Sequence, residues 1–184
     1  GANVGFFSKM ARSLYPSSKI YAIEPVPAVY NLMSKNFNGD QNTILFNFAV
    51  SNKKGKQKMI ADEKDYLTSK FSNNGNFPVD TNTLDNFIHE KRINKIDILK
   101  IDVETFENLV LLGAKQTLAK TKYLFLEITI KNNSNYTFSS LVSLLYSKKY
   151  NFQLIAISIL NYSEISKGTM PIMDCLFKNV KNDL

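Results

Sequence analysis

The chain has 184 residues, enough for one domain with a sizeable core, and its 44% hydrophobic and 21% charged content is ordinary for a globular protein. A single cysteine, Cys175, and a single histidine, His89, exclude an internal disulfide, a zinc site built from several Cys or His ligands, and a Cys/His nucleophilic pair. The net charge of +7 comes mainly from scattered lysines, with arginine only at 12 and 92; this argues against a nucleic-acid partner, and no run of about eighteen apolar residues is present to span a membrane.

Val4, Phe7, Met10, Ala11 and Leu14 recur at helical spacing, so Gly1-Ala2-Asn3-Val4-Gly5 reads as a tight loop feeding a helix that begins near Val4. Glycine lets bare backbone approach a ligand there, and the helix N-terminus behind it offers unpaired N–H groups to a polar or anionic cofactor. The next apolar run, Lys19 to Pro25, reads as a buried strand ending in Glu24. Nucleotide-binding α/β folds place the acid that holds a ribose diol at that point; the plain alternative is a strand-end carboxylate in water. A dinucleotide fingerprint G-x-G-x-x-G would need glycine where Asn3 and Phe6 stand, which disfavours a nicotinamide cofactor.

Pro27 suits a first helical position, and Val29, Leu32, Met33 and Phe37 give that helix one apolar stripe. Thr43 to Val50 is strand-like and leads through Ser51 to Gly55 into a strand over Lys56 to Ala61. The basic run Lys53 to Lys58 straddles this turn and reads as a solvated hairpin, with contact to an acidic partner as the alternative. Asp62 to Asn82 is polar and broken, either a surface loop or a lid.

Thr83-Leu84-Asp85 opens a short helix that carries His89, read as a partly exposed helix residue more than a base. Lys95 to Asp102 is a second buried strand with an acidic end, followed by an amphipathic helix over Glu107 to Ala119. Tyr123 to Ile130 is a third such strand, Phe138 to Tyr146 a helix and Phe152 to Ile157 a strand. A hairpin-like Ser163 to Pro171 precedes a last strand, Ile172 to Lys178, in which Cys175 reads as a buried, inert thiol. Alternating strands and helices predict an α/β fold, a three-layer α/β/α sandwich with a mostly parallel sheet, in a single domain over 1–184.

Two stretches carry a family resemblance. Gly1-Ala2-Asn3-Val4-Gly5 resembles the first motif of class I S-adenosylmethionine-dependent methyltransferases, in the form D-x-G-A-N-x-G of the FkbM family, entered at its third position. Lys100-Ile101-Asp102-Val103-Glu104-Thr105-Phe106-Glu107 resembles that family's K-x-D-V-E-G-x-E, with Thr105 in place of the glycine. Leu112-Gly113-Ala114, Thr83-Leu84-Asp85 and Glu24-Pro25-Val26-Pro27 are similar to its L-x-G-A, T-L-D and E-P-x-P, so the likeness covers roughly residues 1–130. It implies a Rossmann-like sheet whose last strand enters antiparallel, and a central first strand upstream of Gly1.

The resemblance implies a cytoplasmic O-methyltransferase that uses S-adenosylmethionine on a hydroxyl of a sugar, glycolipid or polyketide-like small molecule, with no metal. A catalytically silent cofactor-binding or scaffold module is the alternative that Thr105 suggests; a nucleotide-sugar oxidoreductase is the other. The cofactor set is Gly1, Ala2, Asn3, Gly5, Glu24, Pro25 and Asp102, with Asn47, Phe48 and Ala49 where related enzymes contact the adenine. Ligands of open α/β sheets sit beyond the carboxyl ends of the strands, which would bring the glycine loop, Glu24 and Asp102 to one crevice. A carboxylate there favours a sulfonium and can take the proton of an acceptor hydroxyl. Asp102 and Glu104 are the candidates for that base; as strand residues they would share a face, and a turn would separate them. Their plain roles are capping the next helix or pairing with Lys100. Glu107 reads as a favourable charge at a helix N-terminus, and Glu127 points either into the crevice or at a lysine.

Overall fold

Pairing partners, more than hydrophobic periodicity, decide where the strands of this chain lie. The computed structural model describes residues 1–62, 65–72, 74–129, 137–159 and 172–183, with backbone alone at 61, 62, 65–71, 129, 159, 172, 182 and 183. They form two compact units, Gly1–Asn82 and Thr83–Leu184.

In the first unit, α1 (Phe6–Leu14) leads to β1 (Ile20–Ile23), α2 (Pro27–Asn36) and β2 (Thr43–Phe46). β1 and β2 pair in parallel from Ile20 opposite Thr43 to Ile23 opposite Phe46, with α2 as the crossover. Pro27 is the first residue of α2, where its missing N–H costs no helical bond. Val29 and Met33 are buried while Leu32 of the expected stripe is exposed. Ala22, Met33 and Phe37 form a core cluster joined by Ala2, Tyr30 and Leu45. Arg12 ties this layer together, its Nε donating to Asp40 Oδ2 at 3.0 Å and its Nη2 to Thr43 Oγ1 at 3.1 Å. The Thr43 hydroxyl and the Arg12 guanidinium hold Asp40 down at about 2.

The expected strand over Thr43 to Val50 is two strands in different sheets. β3 (Ala49–Val50), β4 (Gly55–Asp62), β5 (Asp65–Phe71) and β6 (Phe77–Asn82) form a second sheet in the order β3-β6-β4-β5. β6 lies between β3 and β4, with Thr81 opposite Ala49 on one side and Gly55 on the other. The basic run after Ser51 is therefore a crossing over β6 and not a hairpin, and Lys53, Lys54, Lys56 and Lys58 are exposed along it. Most of Asp62 to Asn82, expected as loop or lid, is strand. β5 sits at a sheet edge with β4 as its neighbour, and such strands tolerate a polar composition that hides them from periodicity.

The second unit runs α3 (Leu84–Glu90), β7 (Ile96–Ile101), α4 (Glu107–Leu112), α5 (Lys115–Ala119), β8 (Thr121–Thr129), α6 (Phe138–Tyr146), β9 (Phe152–Ile159) and β10 (Ile172–Asn179), then a 3-10 turn over Val180–Asp183. Its sheet has the order β7-β8-β10-β9. β7 and β8 are parallel, and β10 runs antiparallel to both its neighbours, as the resemblance implies for the last strand. Across both units three described strand pairings are parallel and four antiparallel. The fold is thus mixed α/β, and its sheets are mixed in place of the mostly parallel one expected, because β4, β5, β6, β9 and β10 meet head to tail.

Burial alternates cleanly along the central strands. Leu124, Leu126 and Ile128 of β8 and Cys175 and Phe177 of β10 are fully buried, while Tyr123, Phe125, Glu127, Asp174 and Leu176 on the opposite face stay half-buried. Each fully buried apolar side chain contributes about 1.5 to 3 kcal/mol. Burial, with Asp174 alongside, pushes the Cys175 thiol up to about 11 and leaves it inert. His89 is exposed in the last turn of α3. The expected strand end at Ile130 and the Ser163 to Pro171 segment lie outside the described residues. Among the described residues no helix is long and apolar enough to cross a membrane.

The helix expected over Glu107 to Ala119 breaks at Gly113-Ala114 because α5 has a distant cap. Asp85 Oδ1 accepts from the Gln116 and Thr117 N–H groups and from the Thr117 hydroxyl, at 2.9, 2.8 and 2.8 Å. Two residues earlier the Thr83 hydroxyl caps α3 by accepting from Asn86 N–H at 3.0 Å. Thr83-Leu84-Asp85 is thus a double cap. Asp85→Ala strands three donors and should cost about 1 to 3 kcal/mol in urea unfolding, with Asp85→Asn losing less because an acceptor oxygen remains. Equal stability of wild type and Asp85→Ala would rule out this capping role.

Candidate functional site

The first set of predicted site residues is gathered at the carboxyl end of β1. Asn3 takes a left-handed φ of 53°, and Gly5 follows at 89°. Asparagine is among the few side chains that sit there readily, which explains how G-x-N-x-G keeps the shape of a glycine loop. The loop is docked by Ala2 N–H donating to Ile23 O at 3.0 Å, and then held by Glu24. Glu24 Oε2 accepts from Asn3 N–H at 2.8 Å and Oε1 from Val26 N–H at 3.0 Å, with only 5% of the residue exposed. Asn47 Nδ2 in turn donates to the carbonyls of Glu24 and Pro25 at 2.8 and 3.1 Å. Gly1 is exposed and Pro25 half-buried at the same strand end. Phe48 meets Phe46 edge-on at 6.3 Å, and Ala49 is buried at the start of β3. A Cβ on Gly5 would lie 2.4 Å from the Phe37 ring, so this glycine serves the packing of α1 on α2.

The second set is in the other unit, beyond β7. Asp102 follows the last β7 residue, and Lys100 Nζ donates to its Oδ2 at 2.5 Å, with the two side chains only 20% and 29% exposed. Burial raises the pKa of Asp102, but the hydrogen bond from Glu127 and the Lys100 ammonium outweigh it and hold the group below the usual carboxylate value. Glu127 is driven the other way, up to about 8, by burial first and then by Asp102, Glu104 and Asp174. Asp174 is also raised by burial and by Asp102, against the pull of Lys100. Glu104 is exposed in a turn at φ 53°, off the strand that would have aligned it with Asp102. Among the described residues no group of three or more His, Cys, Asp and Glu is placed to hold a metal ion.

Glu107 is the first residue of α4, as expected of a helix-end charge, but it is buried and has a second role. It is 1% exposed, and its Oε1 turns back to accept from Val103 N–H at 3.1 Å and Thr105 N–H at 3.3 Å. It braces the strand-end loop from inside. Asp174 escaped the sequence reading. A carboxylate at an alternating position of an apolar strand was its signal, but the register that sets it beside Glu127 depends on β10 entering antiparallel.

A family model for the methyltransferase FkbM domain matches residues 1–154. The chain belongs to this family. It is similar to the 2-O-methyltransferase NoeI of Sinorhizobium fredii, 25% identical over 148 residues that cover 69% of this chain and 60% of that protein. It is also similar to the methyltransferase sdnD of Sordaria araneosa, 25% identical over 153 residues covering 63% of this chain and 59% of that protein. The chain thus spans about three fifths of the length of these curated relatives.

Membership gives the one departure from the FkbM motif a structural meaning. Thr105 stands at φ 77°, the left-handed region where the family's glycine sits without penalty and a β-branched residue does not. Such a residue costs about 1 to 3 kcal/mol, and glycine adds back about 0.4 to 1 in unfolded-chain entropy. Thr105→Gly should therefore stabilise the protein by about 1 kcal/mol, read as a raised calorimetric midpoint. A lowered midpoint would mean that the threonine side chain makes contacts worth more than the strain.

Proposed function

We propose that this FkbM domain is an S-adenosylmethionine-dependent O-methyltransferase of the cytoplasm, with the family's Rossmann-like three-layer α/β/α arrangement. Its acceptor is a hydroxyl of a sugar, glycolipid or polyketide-like small molecule. The observation that carries this is an ionised aspartate at a strand end, Asp102, held at 2.5 Å by Lys100 and flanked by Glu127. An ionised, half-buried carboxylate is the group a hydroxyl acceptor needs to receive its proton. The name of one relative, a 2-O-methyltransferase, supports oxygen as the acceptor atom.

The residues present suit the cofactor. Each Glu24 oxygen accepts one backbone N–H and keeps a further lone-pair site, so the carboxylate can also receive both hydroxyls of a ribose. Gly1, Ala2 and Asn3 bring backbone to the same strand end, with Asn47, Phe48 and Ala49 as the adenine contacts in this reading. S-adenosylmethionine would supply an electrophilic methyl group on a sulfonium centre. In this reading the ionised Asp102 favours that positive charge and takes the proton of the acceptor hydroxyl. Glu104, exposed in its turn, contacts the acceptor.

Glu24→Ala should weaken S-adenosylmethionine binding roughly ten- to a hundredfold by calorimetry, the loss of a charge-assisted hydrogen bond of about 1.5 to 3 kcal/mol. Unchanged affinity would remove Glu24 from the cofactor site. With methyl-labelled cofactor and a panel of sugars and glycolipids, Asp102→Asn should lower turnover by about 10² to 10⁴ while cofactor affinity holds. A larger loss in Glu104→Gln would move the base to Glu104, and no labelled product from the wild type on any hydroxyl acceptor would count for a silent binding module.

A further inference from the structure

Glu127 has no part in the chemistry above, yet it occupies the middle of a charged row set by strand register. On β10, Asp174 is its direct partner across the antiparallel ladder. On the other side the parallel ladder of β7 with β8 ends at Ile101 opposite Leu126, so Asp102 is the first residue past it and Glu127 the next on β8, and the two carboxyls are in hydrogen-bond contact. Directly opposed residues of neighbouring strands stand on one face with Cβ atoms about 5 Å apart. Lys100 shares that face by the two-residue repeat of β7, Glu104 lies just past the strand end, and Ser158 of β9 follows Asp174 in the row.

Two carboxylates in hydrogen-bond contact cannot both ionise at neutral pH, so such a pair retains a proton. Its position is decided by the neighbours. Lys100 Nζ, 2.5 Å from Asp102 Oδ2, favours charge on Asp102. Glu127 has Asp102 on one flank and Asp174 on the other, with Glu104 nearby, so charge there is opposed from three directions.

We propose that Glu127 is a positioning residue for Asp102: its protonated carboxyl donates a hydrogen bond to the Asp102 carboxylate, fixing its orientation and keeping it ionised to receive the acceptor's proton. The step is a hydrogen bond only; the proton stays on Glu127 and no bond is made or broken there. The functional consequence rests on the reading of Asp102 as the base, but the protonation pattern can be measured without cofactor or acceptor. With the pKa of Glu127 at about 8 against an ordinary 4.5, the folded state binds the extra proton between these values. Stability contributed by this group is therefore full below about pH 4.5 and falls as pH rises through about 8.

The test is a pH titration of the full chain labelled with 13C at Asp and Glu carboxyls, followed by NMR, with Glu127→Gln and Glu127→Leu compared. In the wild type one glutamate should titrate near pH 8, and that titration should vanish in both variants. Asp102, assigned through Asp102→Asn, should titrate lower than an ordinary aspartate. It should stay low in Glu127→Gln, whose amide still donates, and rise by about one pH unit in Glu127→Leu. Once an acceptor is in hand, Glu127→Leu should lower kcat at least tenfold with KM little changed, and Glu127→Gln should restore it. A wild type in which every glutamate titrates near its ordinary value overturns the proposal, and this holds even if Glu127→Leu fails to fold. An Asp102 titration unmoved in a folded Glu127→Leu also overturns it. If the shared proton is present but Asp102→Asn retains full turnover, the pair stands and the assignment of Asp102 as base fails.

Discussion

A buried carboxylate turned back onto the backbone holds the working loop of each unit. Glu24 receives Asn3 and Val26 N–H groups, and Glu107 receives those of Val103 and Thr105. Both acids are almost wholly withdrawn from water, at 5% and 1% exposure, and both loops contain left-handed residues, Asn3 and Gly5 in one and Glu104 and Thr105 in the other. Burying a carboxylate is costly unless charge-assisted bonds replace its hydration, each worth about 1.5 to 3 kcal/mol. The same bonds hold the loop in an otherwise unfavourable conformation. A strand end held this way is rigid in itself, which would lower the ordering cost of binding any ligand there.

The charged row of the second unit follows from that rigidity. Because Glu107 pins Val103 and Thr105, the chain leaves β7 in one direction, and Asp102 keeps the face that β7 gave it, beside Lys100. Glu104 is carried off into solvent by the same turn. Two acidic residues two positions apart therefore have different environments: one ionised beside a lysine and half-buried, the other exposed. Divergent environments for neighbouring carboxylates are the usual basis for a division of labour between them.

Local structure was legible in the sequence where one segment decides it. Pro27 marks the start of α2, the apolar run of Tyr123 to Ile128 marks β8, and Thr83 announces the cap of α3. Long-range partners were not legible. The break between α4 and α5 is fixed by Asp85, more than thirty residues away from Thr117, and the split of β2 from β3 by the pairing of Ala49 with Thr81. The candidate site divides in the same way. Glu24, Asp102 and Glu104 could be picked out because strand-end acids and motif spacing are local, and Thr105 because it breaks the family pattern. Asp174, and the place of Glu127 between two carboxylates, depend on strand register across β7, β8 and β10, which no local pattern encodes.

The order β7-β8-β10-β9 has a consequence for how the second unit is born on the ribosome. β8 and β9 are synthesised first but do not pair with each other; each waits for β10, which slots between them. Until Ile172–Asn179 has left the exit tunnel, two apolar strands present open edges to whatever is near. Closing the sheet late, through contacts distant in sequence, is slow compared with helix formation. Nascent chains stalled short of Ile172 should therefore be forms of this protein that chaperones hold, and β10 acts as the latch that joins β8 to β9.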